Sequence, residues 1–326
     1  MLLTSGVIPE PFFKVPKGWP KPNYSFTQNQ LSQTKIDLGR ALFYDPILSK
    51  DSTISCASCH NPYTAFAHTD HALSHGINDL IGTRNAPALM NLAWQKSFMW
   101  DGAIHHLDMQ ALSPITNPIE MNEDFAHVIG KLQKKHLYPG LFYTAFGDSL
   151  ITGANTLKAF SAFLLTLVSA NSKYESVTRK QTKFTDQERN GLKLFRKHCA
   201  QCHTEPLFTN QNFENNGLPP DNTLNDAGRM KTTGLSADSL KFKVPTLRNI
   251  ELTGPYMSDG KFTTLEEVID HYNSGLKLSS TLDPALNQVI PSGLLLSEQD
   301  KNDLVAFLKT LTDNELKSDN KYSSPF

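Results

Sequence analysis

The four cysteines of the chain form two copies of one short motif, and each copy continues into a histidine. The first copy is Cys56-Ala57-Ser58-Cys59-His60 and the second is Cys199-Ala200-Gln201-Cys202-His203. Two thiols three positions apart can each add to a vinyl group of a haem, while the following histidine ligates the iron. A redox disulfide and a four-cysteine zinc site are the alternatives, but neither requires a histidine after both pairs. The motifs therefore predict two covalently bound c-type haems.

The composition excludes several classes of function. The chain has 326 residues, with 31 basic and 32 acidic side chains and a net charge of −1. It is long enough for two domains, and it has no basic run that would neutralise phosphates, so we expect no nucleic-acid partner. The most apolar stretch, residues 159–170, is interrupted by serine and threonine and is too short to cross a bilayer. We therefore expect no transmembrane segment.

The two haem motifs belong to a longer internal repeat. Each half has proline, leucine and asparagine at alternate positions, and an Asp-Gly pair fourteen positions after the proline. These positions are Pro87, Leu89, Asn91 and Asp101-Gly102 in the first half, and Pro245, Leu247, Asn249 and Asp259-Gly260 in the second. The equal offsets indicate that one haem-binding unit was duplicated. We predict an N-terminal haem domain at 1–172 and a C-terminal haem domain at 173–326, with a polar linker at 171–183.

Helices are expected on both sides of the motifs. Thr185-Asp186-Gln187-Glu188 is a capping box that opens a helix running towards Lys197 and the second motif. Apolar residues recur at helical spacing late in each half: Leu157, Phe160, Phe163, Leu164 and Leu167, then, after Ser297 as N-cap, Leu304, Phe307, Leu308 and Leu311. This pattern predicts an all-α protein of two cytochrome c-like domains with long connecting loops. The proline-rich stretch 9–22 is expected to wrap the surface in extended form.

The two halves diverge after their Asp-Gly pairs. In the second half, the capping box Thr264-Leu265-Glu266-Glu267 opens a helix whose apolar face includes Tyr272. Periodicity alone favours a core tyrosine at this position. In the first half, prolines break any long helix and place Glu120 in a loop or at an element boundary. Taken alone, this pattern is typical of a solvated glutamate.

With these residues the chain resembles the bacterial dihaem cytochrome c peroxidase family, which includes the MauG-type enzymes. The similarity runs from about Leu38 to Leu311. It rests on the haem motifs and on further segments: Leu42-Phe43-Tyr44-Asp45, Arg84-Asn85-Ala86-Pro87, Trp100-Asp101-Gly102, Asn117-Pro118-Ile119-Glu120-Met121, Pro245-Thr246-Leu247-Arg248-Asn249 and Thr253-Gly254-Pro255-Tyr256-Met257.

The resemblance implies that the first haem is the one that reacts with peroxide, with His60 as its proximal ligand. Glu120 matches the catalytic glutamate of the family, and Gln110 and Pro114 match residues that line the same distal pocket. Trp100 matches the aromatic residue between the two haems. One carboxylate can take the first proton of peroxide and return it to the leaving oxygen, and this is the role we expect for Glu120.

The second haem, on His203, is implied to transfer electrons. Its sixth ligand is methionine in many members of the family, whereas this chain has Tyr272 at the matching position, as MauG-type proteins do. Met257 in the neighbouring loop is the alternative ligand, because thioether ligation is usual in cytochromes c.

The family also binds a calcium ion between the lobes. The matching positions here are the side chain of Asn85 and the backbone oxygens of Thr253 and Pro255, which suit a hard cation. Close to them, Ser258 stands where the family often has histidine, so electron entry or propionate contacts are expected to differ there.

The loop after the first haem motif departs from the family as well. In many peroxidases a histidine from this loop blocks the first iron until the other haem is reduced, and the matching position here is Ile77. His75 lies two positions away, and a shift of register would make it the ligand. His68 and His71 are also near, although loop histidines are more often solvated.

The resemblance implies three candidate functions. The first is a peroxidase that reduces hydrogen peroxide to water with electrons from a small cytochrome c or a cupredoxin. The second is a MauG-like enzyme that oxidises a partner protein, and the third is a dihaem electron carrier without catalysis. Residues 1–5 show no features of an export signal, but covalent haem attachment normally occurs outside the cytoplasm, so we expect a periplasmic protein. A homodimer is among the oligomeric states that the sequence allows.

Overall fold

The computed structural model describes residues 12–326, and helices dominate this part of the chain. Its α-helices are α1 Gln33–Tyr44, α2 Cys56–Cys59, α3 Leu107–Gln110, α4 Leu112–Thr116, α5 Phe125–Lys134, α6 Leu137–Phe146, α7 Gly153–Leu165, α8 Lys173–Thr178, α9 Asp186–His198, α10 Met230–Thr233, α11 Leu265–Asp270, α12 Pro284–Asn287, α13 Glu298–Lys309 and α14 Asn314–Ser318. Two short strands, β1 Phe213–Glu214 and β2 Phe242–Lys243, pair antiparallel. None of the helices in the described residues is long and apolar enough to span a membrane. The all-α class predicted from the sequence is confirmed.

Each half is built on one pair of closely packed helices, α1 with α7 and α9 with α13. A glycine lies at each crossing, and a Cβ on it would overlap the backbone of the partner helix. Gly39 meets the carbonyl oxygen of Ala159, and Gly191 meets that of Asp303. The same device in both halves supports the duplication that the repeated motifs predict.

The capping signals in the sequence mark the observed helix ends. Thr185 forms a capping box with Glu188 at the start of α9, and Ser297 forms one with Asp300 at the start of α13. The predicted apolar stripes of α7 and α13 lie in the cores of their halves, although Leu167 and Leu311 come two residues after the helices end. Of these helices, α9 delivers the chain to the second haem motif, because it ends at His198 and Cys199 follows.

The repeated asparagines explain why the Pro-x-Leu-x-Asn pattern occurs twice. Asn91 and Asn249 both have φ near 57°, a left-handed conformation that asparagine adopts more readily than most residues, and each precedes a 3-10 turn. The Asn91 amide donates to the Ser169 carbonyl oxygen at 3.2 Å, and the Asn249 amide donates to the Ser169 hydroxyl oxygen at 2.9 Å. Both asparagines therefore hydrogen-bond to the same residue, Ser169, and this connects the two halves.

One expectation about the connecting segments needs correction, and the other holds except at one residue. The segment 171–183 is not a plain linker, because it contains helix α8 and its Glu175 is buried in an ion pair with Arg248, at 2.6 Å. The stretch 12–22 has neither helix nor strand and lies largely at the surface, as expected, with Phe13 as its one buried residue. Its Phe13 is 2% exposed and packs against Trp94. Pro9 and Pro11 lie outside the described residues.

Candidate active site

One cavity joins the two haem motifs. Its volume is about 590 Å³, and most of its lining surface is apolar, which suits a porphyrin. The lining includes residues of both motifs and nearly all of the other residues singled out from the sequence: Cys59, His60, Asn85, Trp100, Gln110, Pro114, Glu120, Cys199, Cys202, His203, Thr253, Pro255, Met257, Ser258 and Tyr272. Cys56 packs at the edge of the two hydrophobic clusters of the N-terminal half.

Both motif histidines are held in the tautomer that an iron ligand needs. Nδ1 of His60 lies 2.9 Å from the carbonyl oxygen of Phe66, and Nδ1 of His203 lies 3.2 Å from those of Phe208 and Pro245. A carbonyl oxygen can only accept, so Nδ1 carries the proton and Nε2 keeps its lone pair. Burial lowers the pKa of each histidine to about 4, which keeps the rings neutral.

The four cysteines fit thioether attachment better than the alternatives. All four are free, and burial raises the pKa of Cys56 and of Cys199 to about 12. No group of three or more His, Cys, Asp or Glu side chains in residues 12–326 is arranged to hold a metal ion. Neutral thiols beside a large apolar cavity, with a histidine lone pair available, are what two c-type haems need.

Glu120 occupies a turn after two short helices, α3 and α4, as the prolines of this segment predict. Its carboxylate accepts a hydrogen bond from the side-chain amide of Asn117 at 2.6 Å. Burial raises the pKa of Glu120, and the hydrogen bond from Asn117 partly opposes this. The side chain lines the cavity with Gln110, the last residue of α3, and Pro114 of α4. A largely buried carboxylate of raised pKa is suited to both accepting and returning a proton.

Trp100 lines the cavity and is hydrogen-bonded to both lobes. Its indole nitrogen donates to the carbonyl oxygen of Asn85 at 2.8 Å, and its own carbonyl oxygen accepts from the amide of Lys243 at 2.7 Å. The ring also makes an edge contact with Phe242, at 6.5 Å between centroids. These contacts fix the indole within the wall that both haem motifs share.

The two candidate ligands of the second iron differ in their surroundings. Tyr272 lies in a π-helical turn, His271–Gly275, that continues α11, and such turns are frequent at functional sites. Burial raises its pKa to about 12, and hydrogen bonding from Asn216 opposes this. The sulfur of Met257 accepts a hydrogen bond from the same amide at 3.2 Å. One amide therefore contacts both candidate ligands.

The expected calcium ligands line the same cavity and are connected through the backbone. The Asn85 side-chain amide donates to the carbonyl oxygen of Ala72 at 3.0 Å, which leaves its oxygen for a cation. The Asn85 backbone amide donates to the carbonyl oxygen of Ser258 at 2.8 Å. This bond joins the first lobe to the loop that carries Thr253 and Pro255.

The loop histidines do not line the cavity. Nδ1 of His75 lies 2.5 Å from a carboxylate oxygen of Asp79, and the rings of His68 and His71 stack at 5.8 Å between centroids. Ile77 is 2% exposed and packs beneath the turn that carries Glu120, to which its amide is bonded.

Several residues of the site have no role that the sequence alone indicates. Asn117 and Arg84 stand inside segments that the resemblance quotes, yet only their contacts reveal what they do. Arg84 donates to Asp101 at 2.7 Å and to Asp226 at 2.6 Å, which ties the first lobe to the second. Lys243 had no signal beyond its charge: it lies against the cavity, donates to a side-chain amide and a backbone carbonyl oxygen, and burial lowers its pKa to about 8.

Comparisons with known proteins agree with this geometry. A family model described as di-haem cytochrome c peroxidase matches residues 33–183, and a cytochrome c model matches residues 188–312. The chain is 35% identical to the methylamine utilization protein MauG of Methylorubrum extorquens, over 92% of this chain and 83% of that protein. It is also 35% identical to the cytochrome c551 peroxidase of Nitrosomonas europaea, over 86% of this chain and 80% of that protein.

Solved structures give the same result. The crystal structure of a MauG-like protein associated with microbial copper homeostasis superposes with a TM-score of 0.84 at 33% identity, covering 95% of this chain and 98% of that one. The sequence identity over most of the chain, the two lobes and the two Cys-x-x-Cys-His motifs on one cavity all point to the same family. The chain therefore belongs to the di-haem cytochrome c peroxidase and MauG family, and it carries two c-type haems.

Proposed function

We propose that this protein reduces hydrogen peroxide beside its first haem motif, with electrons that enter beside its second. The observation that carries the proposal is the asymmetry of the shared cavity. Its first end presents Glu120, a carboxylate of raised pKa, whereas its second end presents Tyr272, a potential iron ligand. The reaction consumes two electrons and two protons for each peroxide and releases two molecules of water.

The haem-binding residues have separate tasks from the residue that moves protons. Cys56 and Cys59 hold the first haem covalently, and Nε2 of His60 ligates it, because Nδ1 is committed to the Phe66 carbonyl oxygen. When bound, the two haems supply the iron centres that exchange electrons with peroxide and with the donor. The chain itself supplies position, exclusion of water and proton transfer.

Glu120 takes a proton from one oxygen of peroxide and gives it to the other oxygen, which leaves as water. Its buried position favours the neutral form and the Asn117 amide favours the anion, so the carboxyl is balanced between accepting and returning a proton. Gln110 orients peroxide or water without adding charge, and Pro114 closes the same pocket. Trp100 lies on the route between the two motifs.

Tyr272, rather than Met257, is the proposed sixth ligand at the second motif. The Asn216 amide hydrogen-bonds to both side chains and so does not separate them, but Tyr272 lies in a π-helical turn, and such turns are frequent at functional sites. An anionic oxygen ligand stabilises oxidised iron, whereas methionine raises a haem potential. Ligation by Tyr272 instead of methionine therefore favours a second candidate function, a MauG-like oxidation of a partner protein.

A calcium ion between the lobes is proposed at Asn85, Thr253 and Pro255. The amide and backbone oxygens of these residues suit a hard cation, and the bond between Asn85 and Ser258 brings the two loops together. We place the lobe boundary at 172/173, immediately before helix α8. We also propose a periplasmic location, because covalent haem attachment normally takes place there.

The Glu120→Gln variant tests the proton-transfer role. The amide has nearly the same shape but cannot accept the proton, so the peroxide reaction of the fully ferric protein should slow by roughly 10²–10⁴ in rapid mixing. The absorption spectrum should show that both haems remain attached. Glu266→Gln is the matched control, because Glu266 is exposed on α11 and its replacement should leave the rate unchanged. A near-normal rate in Glu120→Gln would remove Glu120 from the role.

The electron source separates the two candidate functions. Steady peroxide turnover with a reduced small cytochrome c or cupredoxin supports the peroxidase. Peroxide-dependent covalent change in a partner protein, measured by mass spectrometry without such a donor, supports the MauG-like enzyme. Absence of any peroxide reaction would leave an electron carrier.

A further inference from the structure

The loop after the first haem motif forms a hairpin across residues 74–82. His75 and Ile81 form an antiparallel bridge, and the amide of Gly82 donates to the carbonyl oxygen of Ser74 at 3.0 Å. Closer to the tip, the amide of Gly76 donates to the carbonyl oxygen of Leu80 at 2.8 Å. These two hydrogen bonds make up the bridge and close the hairpin on itself.

The hairpin is docked on the backbone of Glu120. The amide of Ile77 donates to the carbonyl oxygen of Glu120 at 2.7 Å, and the Ile77 side chain is 2% exposed. Gly76 approaches so closely that a Cβ there would overlap the carbonyl oxygen of Ile119 and lie 2.6 Å from the Glu120 Cα. These neighbours are backbone atoms, which cannot swing aside as a long side chain can. Only glycine allows this contact without moving the turn.

The same hairpin also reaches the first haem motif. The Cys59 sulfur lies 3.9 Å from the carbonyl oxygen of His75, and Ser74 hydrogen-bonds to the same sulfur. The hairpin therefore touches both the residue that anchors the haem and the residue that moves protons. It is a packed link between two residues that are 61 positions apart along the chain.

We propose that Gly76 and Ile77 are positioning residues that fix where the Glu120 carboxylate lies relative to the first haem motif. The proposal rests on the catalytic role of Glu120 proposed above. Gly76 sets how closely the hairpin approaches the turn, and the Ile77 amide sets the register. An error of about 1 Å in the placement of a catalytic group can cost as much as a hundredfold in rate. The hairpin thus acts on catalysis without touching peroxide.

The test compares Gly76→Ala with Gly130→Ala. Gly130 lies in helix α5 of the same lobe, and a Cβ there would meet no atom within 4 Å. In the ferric protein with both haems bound, Gly76→Ala should slow the peroxide reaction tenfold or more, whereas Gly130→Ala should leave its rate unchanged. A normal rate in Gly76→Ala would overturn the proposal.

A double-mutant cycle with Glu120→Gln distinguishes positioning from general damage. If Gly76 acts only through Glu120, then Gly76→Ala should have little further effect in a Glu120→Gln background, because the carboxylate is already gone. An equal fold-change in both backgrounds would overturn the positioning role while leaving that of Glu120 intact. A normal rate in Glu120→Gln alone would instead refute the proposed function.

Ile77→Ala provides a second route if Gly76→Ala does not fold. It removes a buried side chain that anchors the hairpin and introduces no overlap. We expect a severalfold slower peroxide reaction that likewise disappears in the Glu120→Gln background. An unchanged rate, or an effect that persists in that background, would overturn the positioning role of the hairpin.

Discussion

The hydrogen bond between Asn117 and Glu120 makes the pH dependence of the peroxide reaction a sensitive test of the site. Burial raises the pKa of Glu120, and the Asn117 amide, at 2.6 Å, partly offsets this by stabilising the anion. Asn117→Asp removes that donor. It keeps the oxygen that accepts from the backbone amide of Ile119 at 3.2 Å, so the turn itself should survive.

The size of the effect follows from the lost hydrogen bond. A hydrogen bond to a charged group contributes about 1.5–3 kcal/mol. About 1.36 kcal/mol corresponds to a tenfold change in an ionisation constant, so the acid constant of Glu120 should fall by about tenfold to a hundredfold. The negative charge that the substitution introduces beside Glu120 would act in the same direction.

The direction of the pH effect is fixed by which form of Glu120 accepts a proton. Only the carboxylate can do so, and therefore the reaction slows as the pH falls through the pKa of Glu120. In Asn117→Asp this acid limb should move to higher pH, while the rate well above it stays close to that of the parent protein. Rapid mixing of ferric protein with peroxide, repeated across the acid and neutral range, measures the limb.

Asn122→Asp is the matched control, because it makes the same substitution five positions along the chain. Asn122 does not donate to the Glu120 carboxylate, so the acid limb of this variant should stay close to that of the parent protein. The reasoning is wrong if Asn117→Asp retains both haems and its acid limb does not move, or if Asn122→Asp moves the limb equally.

Two further outcomes are expected. Tyr272→Met should raise the potential of the second haem and make prior reduction necessary before peroxide reacts. Peroxide titration of the fully ferric variant measures this. An unchanged ferric reaction would show that the tyrosine is not what allows the ferric protein to react. Glu175→Gln should lower the free energy of unfolding in denaturant by about 3 kcal/mol, because Arg248, itself 1% exposed, would lose its buried carboxylate partner. Burial alone would raise the pKa of Glu175, but Arg248 and Ser172 hold it below its ordinary value. In the parent protein this stabilisation should therefore be present above the ordinary carboxyl pKa and be lost as the pH falls through the lowered one, and a Gln variant with the same pH dependence would contradict the assignment.

Much of the fold could be predicted because its signals are local. The capping boxes at Thr185 and Thr264 and the N-cap at Ser297 are each recognised from a few adjacent residues, and all three begin helices in the structure. The repeated asparagines are equally local, since their left-handed backbone is a property of the residue and its immediate neighbours. The expectation for 171–183 was wrong because the burial of Glu175 depends on Arg248, 73 positions away.

The identity of the cofactor was settled by the sequence, because thioether attachment and axial ligation come from residues within one five-residue motif. The resemblance named Glu120 and Tyr272, but their periodicity favoured a solvated glutamate and a core tyrosine. Their pKa directions, hydrogen bonds and access to the cavity depend on which distant backbone atoms surround them. Gly76 shows this most clearly: its own stretch of sequence gives no sign that its hydrogen atom faces the Glu120 backbone. Spacing along the chain thus determined that two haems bind, whereas packing between distant segments decided which of the residues around them can move protons.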